Sequence, residues 1–206
     1  MKKNSAIIWR EFHRELNSKT TLLMYVFLII FNCVKFKDYG IEQTIYNVST
    51  GVLFISIFSS IINYTNIEVL LALPLEIYDF CMQKTIYIMM KVIFANVFMF
   101  IVELFLNFFL LKDNILSNIY CFIFTIIGVY AVSIFVESIS ILFKKNYKFI
   151  IVGIASLLLY FLNYFIFMSN KVICTIFIVV GVIVLQYLSF LISQNIDKEK
   201  LIKRSI

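Results

Sequence analysis

Charge, histidine and proline are all scarce in this 206-residue chain. Only 15% of the residues are charged while 62% are hydrophobic, and the mean hydropathy is +0.97. A soluble domain carries about a quarter charged residues, so this composition excludes an ordinary water-soluble fold and points to a membrane protein. The one histidine, His13, precedes the first apolar run. Its isolation excludes an intramembrane metalloprotease, which needs histidine ligands inside the bilayer, and a Ser-His pair across a helical bundle. No G-x-x-x-x-G-K-[ST], H-E-x-x-H or G-x-S-x-G occurs, so a P-loop in this chain is excluded and the chain is not expected to be an enzyme. The four cysteines, Cys33, Cys81, Cys121 and Cys174, are too dispersed for a metal-like spacing and read as small buried hydrophobes. No cleavable signal peptide is evident, because the first apolar run begins near Thr20 after a long charged segment.

What the chain does have is a series of apolar runs of about 20 residues, the length that crosses a bilayer as a helix. They fall at about 20–37, 45–64, 85–111, 115–143, 149–168 and 172–195. Residues 5–19 form an amphipathic pattern, with Ile8, Trp9, Phe12 and Leu16 at helical spacing and Arg10, Glu11, His13, Arg14 and Glu15 on the other side. A basic helix bearing Trp beside a span is expected to lie in the membrane interface, with Trp9, Arg10, Phe12 and Arg14 as its anchors. The expected fold is an all-α polytopic membrane protein in one transmembrane domain: an N-terminal amphipathic interface helix plus six transmembrane helices.

Orientation follows from lysine and arginine. With both termini cytosolic, the inner segments hold 13 of these residues and the outer segments hold Lys35, Lys37, Lys112 and Lys171. Lys91, near the inner end of the third run, is expected to snorkel to the interface. The net charge of +6 therefore sits at span ends, and no nucleic-acid partner is expected.

Polar residues recur on single faces of the runs. They are Ser49, Ser56, Ser60 and Asn63; Asn96, Glu103 and Asn107; Ser133, Glu137 and Ser140; Ser156, Tyr160 and Asn163; and Thr175, Gln186, Ser189 and Ser193. Most are expected to bond helix to helix. Glu103 and Glu137 are costly at membrane depth and should face the bundle interior or a wet cavity. They fall at different depths and need not pair; either would be protonated or contact a cationic substrate. The expected translocation path comprises Asn96, Glu103, Asn107, Glu137, Ser56 and Ser60.

The only proline, Pro74, lies in the stretch Asn66 to Lys84, which interrupts the apolar runs on the cytosolic side. Asn66 suits a helix N-cap, Leu70, Leu71 and Leu73 suit an apolar cleft, and Pro74 breaks the helix. Glu68, Glu76 and Asp79 suit a basic rim. The run Glu68-Val-Leu-Leu-Ala-Leu-Pro-Leu, with Lys84 opening the next span, resembles the signature of type-2 ABC exporter permeases. Glu68, Leu73, Pro74, Leu75 and Lys84 match that signature residue by residue. The layout resembles the family over nearly the whole chain. Two departures are Glu76, where the family commonly has Ser or Thr, and a connection of only about Ser169 to Lys171 where many relatives carry re-entrant helices.

The resemblance implies that residues 66–83 are a cytosolic coupling helix, with Glu68, Leu70, Leu71, Leu73, Pro74, Leu75, Glu76, Asp79 and Lys84 at the ATPase contact. It further implies two copies of a separate ABC ATP-binding subunit carrying ATP and Mg, no cofactor in this chain, and a second permease subunit in a homo- or heterodimer. The location would be the bacterial plasma membrane, and the cargo an amphipathic, antimicrobial or toxic peptide. Alternatives are another lipophilic cargo (drug, lipid or haem), an ion-coupled transporter using Glu103, or a non-transporting immunity or scaffold membrane protein.

Overall fold

Long apolar segments without internal proline satisfy their backbone hydrogen bonds locally, which in hydrocarbon leaves the helix as the favoured form. The computed structural model describes residues 3–62, 76–106, 115–142, 148–167 and 170–196, and among them there is no strand. The elements are α1 (Lys3–Leu16), α2 (Lys19–Ile62), α3 (Ile77–Leu106), α4 (Ile115–Leu142), α5 (Lys148–Ile166) and α6 (Lys171–Gln194). Within α3 to α6, four stretches are long and apolar enough to cross a membrane: Ile77–Val102, Asn118–Leu142, Phe149–Ile166 and Lys171–Gln194. The architecture is that of a helical membrane protein.

The first two apolar runs are not separated by a loop. They form one 44-residue helix broken at a single residue, Gly40, at φ 70° and ψ 175°. That conformation is open essentially to glycine alone. Contacts across the break show what it does. Tyr25 meets Ser56 at 3.4 Å, and Leu28 packs on Gly51. Tyr25 and Ser56 lie 15 and 16 residues either side of Gly40, and Leu28 and Gly51 lie 12 and 11. Matched distances from a reversal are the register of an antiparallel hairpin, so residues 19–39 and 41–62 are its two arms.

At its start α2 turns sharply from α1. The segments Ile8–Leu16 and Lys19–Lys35 meet at 84°, and Ser18 Oγ accepts from the Thr21 amide at 3.4 Å, closing the first turn of α2. A helix perpendicular to its neighbouring arm lies across the end of the bundle. Its exposed large apolar residues are Trp9, Phe12 and Leu16, beside exposed His13, whereas Glu11 and Glu15 are buried. This burial of acids and exposure of apolar side chains reverses the pattern of a soluble helix.

Helix α4 is the centre, packed against α2, α3, α5 and α6. Half of its apolar window is buried, against 17% for α6. The shared core includes Leu53 and Ile57 of α2, Val92 of α3, Val129 and Val136 of α4, Leu159 of α5 and Ile178 of α6. Lipid tails are as apolar as these side chains, so the assembly depends on close packing and interhelical hydrogen bonds rather than on the hydrophobic effect. Gly128 serves that packing: its bare Cα lets the Leu162 side chain of α5 seat directly on α4.

Helices α4, α5 and α6 begin and end close to the expected runs, but α3 does not. It starts at Ile77 rather than at Lys84 or beyond. Residues 77–83 of the expected 66–83 coupling helix therefore belong to α3, and residues 66–75 lie outside the described residues. Glu76 is exposed just before α3, its carbonyl accepting the Phe80 amide at 3.1 Å, and exposed Asp79 lies in the first turn. Both positions suit the helix dipole. Ile196, beyond α6, packs with Ile77 and Phe80 of α3, so the start of α3, the end of α6 and α1 share one end of the bundle.

Candidate functional site: a buried charge cluster beneath the first helix

Seven residues apart on α3, Lys84 and Lys91 return to one helix face, two turns or about 10 Å from each other. Each meets an acid from a different helix. Lys84 Nζ lies 2.6 Å from Glu137 Oε2 of α4, with both side chains about 95% buried. Lys91 Nζ lies 2.7 Å from Glu15 Oε1 and 3.0 Å from Oε2 of α1. On α1 itself, Arg14 pairs with Glu11 at 2.6 Å. Three cations and three carboxylates from α1, α3 and α4 thus line one small cavity of about 10 Å³, the volume that one water needs.

Around Lys91 the donors and acceptors balance. An ammonium has three protons, and here it donates to the Glu15 carboxylate, to Ser56 Oγ at 2.6 Å and to Tyr25 Oη at 3.1 Å. The Tyr87 hydroxyl donates to the other Glu15 oxygen at 3.1 Å. The same ammonium sits 4.5 Å above the Tyr87 ring, a cation–π contact that strengthens when desolvated. The polar column continues inward from Ser56 and Lys91: Asn96 Nδ2 donates to Ser49 Oγ at 2.8 Å. Ser133 Oγ donates to Thr85 Oγ1 at 3.4 Å beside the Lys84 pair.

The sequence-expected residues fall into three groups. Ser56, Asn96 and Glu137 are brought to the inner faces of α2, α3 and α4, with Lys84 among them. Trp9 and Phe12 are exposed on α1, Arg14 pairs with Glu11, and Arg10 is half-buried on the same helix. Glu68, Leu70, Leu71, Leu73, Pro74, Leu75 and Asn107 lie outside the described residues, as do the side chains of Ser60 and Glu103.

Several expectations change. Lys84 is two turns inside α3 and buried rather than opening a span at the surface. Glu137 pairs with that lysine instead of standing alone for protonation or a cationic substrate. Lys91 does not snorkel: its side chain is only 17% exposed and is neutralised inside the bundle. The polar face of α5 does not face inward, since Ser156 and Tyr160 are exposed while Ile151, Ala155, Leu159 and Ile166 are buried. Tyr25 and Tyr87 escaped sequence reasoning altogether, and Glu15 was read only as one charge on the polar side of α1. The signal that could have found them is the seven-residue spacing of the two α3 lysines, matched by the four-residue spacing of Glu11 and Glu15.

Among the described residues no group of three His, Cys, Asp or Glu converges as a metal site, and there is no disulfide. A second, open groove of about 520 Å³ runs between the α2 arms, lined by Leu23, Phe27, Phe31 and Phe54 and by no charged residue. Comparison with known proteins finds no matching family model, no matching curated protein and no matching solved structure.

Proposed function

We propose that this chain is the membrane subunit of an ATP-driven exporter of the type-2 ABC permease kind. The observation that carries this reading is the run from Glu68 through Leu73-Pro74-Leu75 to Lys84. In sequence, Glu68 to Leu75 lies between α2 and the start of α3, which packs against Ile196 beyond α6, and Lys84 lies two turns inside α3. In this reading the two α2 arms and α3 to α6 are six spans, and the shared end is cytosolic in a bacterial plasma membrane. Two copies of a separate ATP-binding subunit, holding ATP and Mg, dock at residues 66–76. A second permease subunit completes the pathway.

The cargo is an amphipathic peptide. The buried polar column of Ser56, Lys91, Asn96 and Ser49 supports a path that accepts polar groups within an otherwise apolar bundle. Co-purification with an ABC ATPase, sought first in the neighbouring reading frame, tests the assembly, and reconstitution of the two into vesicles tests the coupling. Glu68→Arg and Leu73→Asp are expected to abolish stimulation of that ATPase while leaving the bundle folded. Unchanged stimulation and transport in both variants would overturn the coupling assignment.

A further inference from the structure

Glu15 sits in a fully formed carboxylate site. Both its oxygens face the Lys91 ammonium, one of them also receives the Tyr87 hydroxyl, and Ser56 and Tyr25 fix the ammonium from behind. Everything in that arrangement except the carboxylate belongs to α2 and α3. The carboxylate arrives on α1, one residue before that helix ends, next to the two-residue corner Asn17-Ser18 where the chain bends by 84°. Glu15 is thus the one member of the arrangement that a rotation of α1 about this corner would carry away.

We infer that Lys91, Tyr87, Tyr25 and Ser56 form a binding site for the carboxylate of an amphipathic molecule, and that Glu15 occupies it as an internal competitor. Three observations argue for this chemistry. A buried ammonium whose remaining ligands are two neutral hydroxyls demands an anion when Glu15 leaves. With Glu15 in place the cavity leaves only about 10 Å³, the room one water needs, so a second carboxylate reaches the ammonium only where Glu15 now stands. Beyond the ammonium the path continues through Asn96 and Ser49, so a bound carboxylate stands at the mouth of the polar column. The inference deepens the exporter reading by naming the chemistry of one end of the cargo. Its test needs neither ATPase nor transport, so either can fail alone.

The test uses the full chain in an uncharged maltoside detergent, with dodecanoate as the probe and methyl dodecanoate as the control. Binding is read from the thermal midpoint and from emission of Trp9, the only tryptophan, which rides on α1. Removing an internal competitor raises apparent affinity by the reciprocal of the fraction of time the site stood free, so Glu15→Gln, which removes the competing charge, is expected to bind dodecanoate at least about tenfold more tightly than the parent. Adding Lys91→Gln is expected to abolish that gain. Tyr87→Phe, which deletes one hydroxyl, is expected to weaken the parent's binding severalfold and serves where Glu15→Gln does not fold. A free-acid apolar peptide and its C-terminal amide separate the sources: binding by the acid peptide assigns a peptide C-terminus, and binding by dodecanoate alone assigns a fatty acid. Equal affinity in Glu15→Gln and parent, binding that survives Lys91→Gln or is unchanged in Tyr87→Phe, or binding of the ester or amide as well as the acid overturns the site.

Discussion

Lys84 of α3 and Glu137 of α4 form an ion pair at 2.6 Å, and both side chains are almost wholly buried. Lys84 stands near the start of α3 and Glu137 near the end of α4, so the pair, 53 residues apart in sequence, ties the two helices together in one register. Replacing such a pair by apolar groups is often neutral, but removing one member strands a charge. The value of the pair therefore lies in specifying how α3 sits on α4.

This asymmetry gives a first prediction. Lys84→Met leaves Glu137 unpaired and is expected to destabilise the protein by about 3–5 kcal/mol. The double variant Lys84→Met with Glu137→Met is expected to recover most of that loss. Thermal midpoints in detergent, followed by size-exclusion profile, measure both. A double variant no more stable than the single would refute the paired-charge account.

Gly40 provides a second. Its φ of 70° with ψ of 175° is unfavourable for any residue with a Cβ, although no atom lies within 4 Å of where that Cβ would be. The penalty of Gly40→Ala is thus conformational rather than steric and is expected to be about 1–3 kcal/mol. A cysteine pair replacing Leu28 and Gly51, where a Cβ on Gly51 would lie 3.2 Å from Leu28 Cγ, reports the geometry: it is expected to cross-link readily with Gly40 present and less efficiently in the Gly40→Ala background.

The third prediction concerns Gly128, where an added side chain meets Leu162. Gly128→Leu overpacks the α4–α5 seam and is expected to cost about 1–3 kcal/mol. Leu162→Ala in the same chain is expected to return part of that loss, because it vacates the space the new side chain needs. Non-additivity of the two midpoint shifts is the measurement.

Much of the helical framework was legible in the residues. The apolar runs of α4, α5 and α6 and the amphipathic α1 follow from spacing and length, because a buried backbone in hydrocarbon has to bond to itself. The inner residues Ser56, Asn96 and Glu137 were legible for a similar reason, since a polar group at membrane depth turns away from lipid. The expectation that most polar residues bond helix to helix does not hold on α5. On α5 the small and branched residues Ala155, Leu159 and Ile166 pack inward and Ser156 satisfies itself on the Gly153 carbonyl at 2.8 Å, so its hydroxyl needs no neighbouring helix.

By itself the sequence determined that the chain forms long helices suited to a bilayer, that a P-loop is missing from it, and that an acidic, proline-bearing stretch separates two of its apolar runs. These follow from local chemistry: hydropathy, periodicity and the backbone preference of single residues. Tertiary structure alone decided who meets whom. Glu15 reads as one charge on a polar helix face and Lys91 as a surface anchor, until the corner at Ser18 and the hairpin at Gly40 bring them within 2.7 Å. Pairings across 53 and 76 residues depend on the relative placement of whole helices. That placement comes from the summed packing of the bundle, which no local pattern encodes.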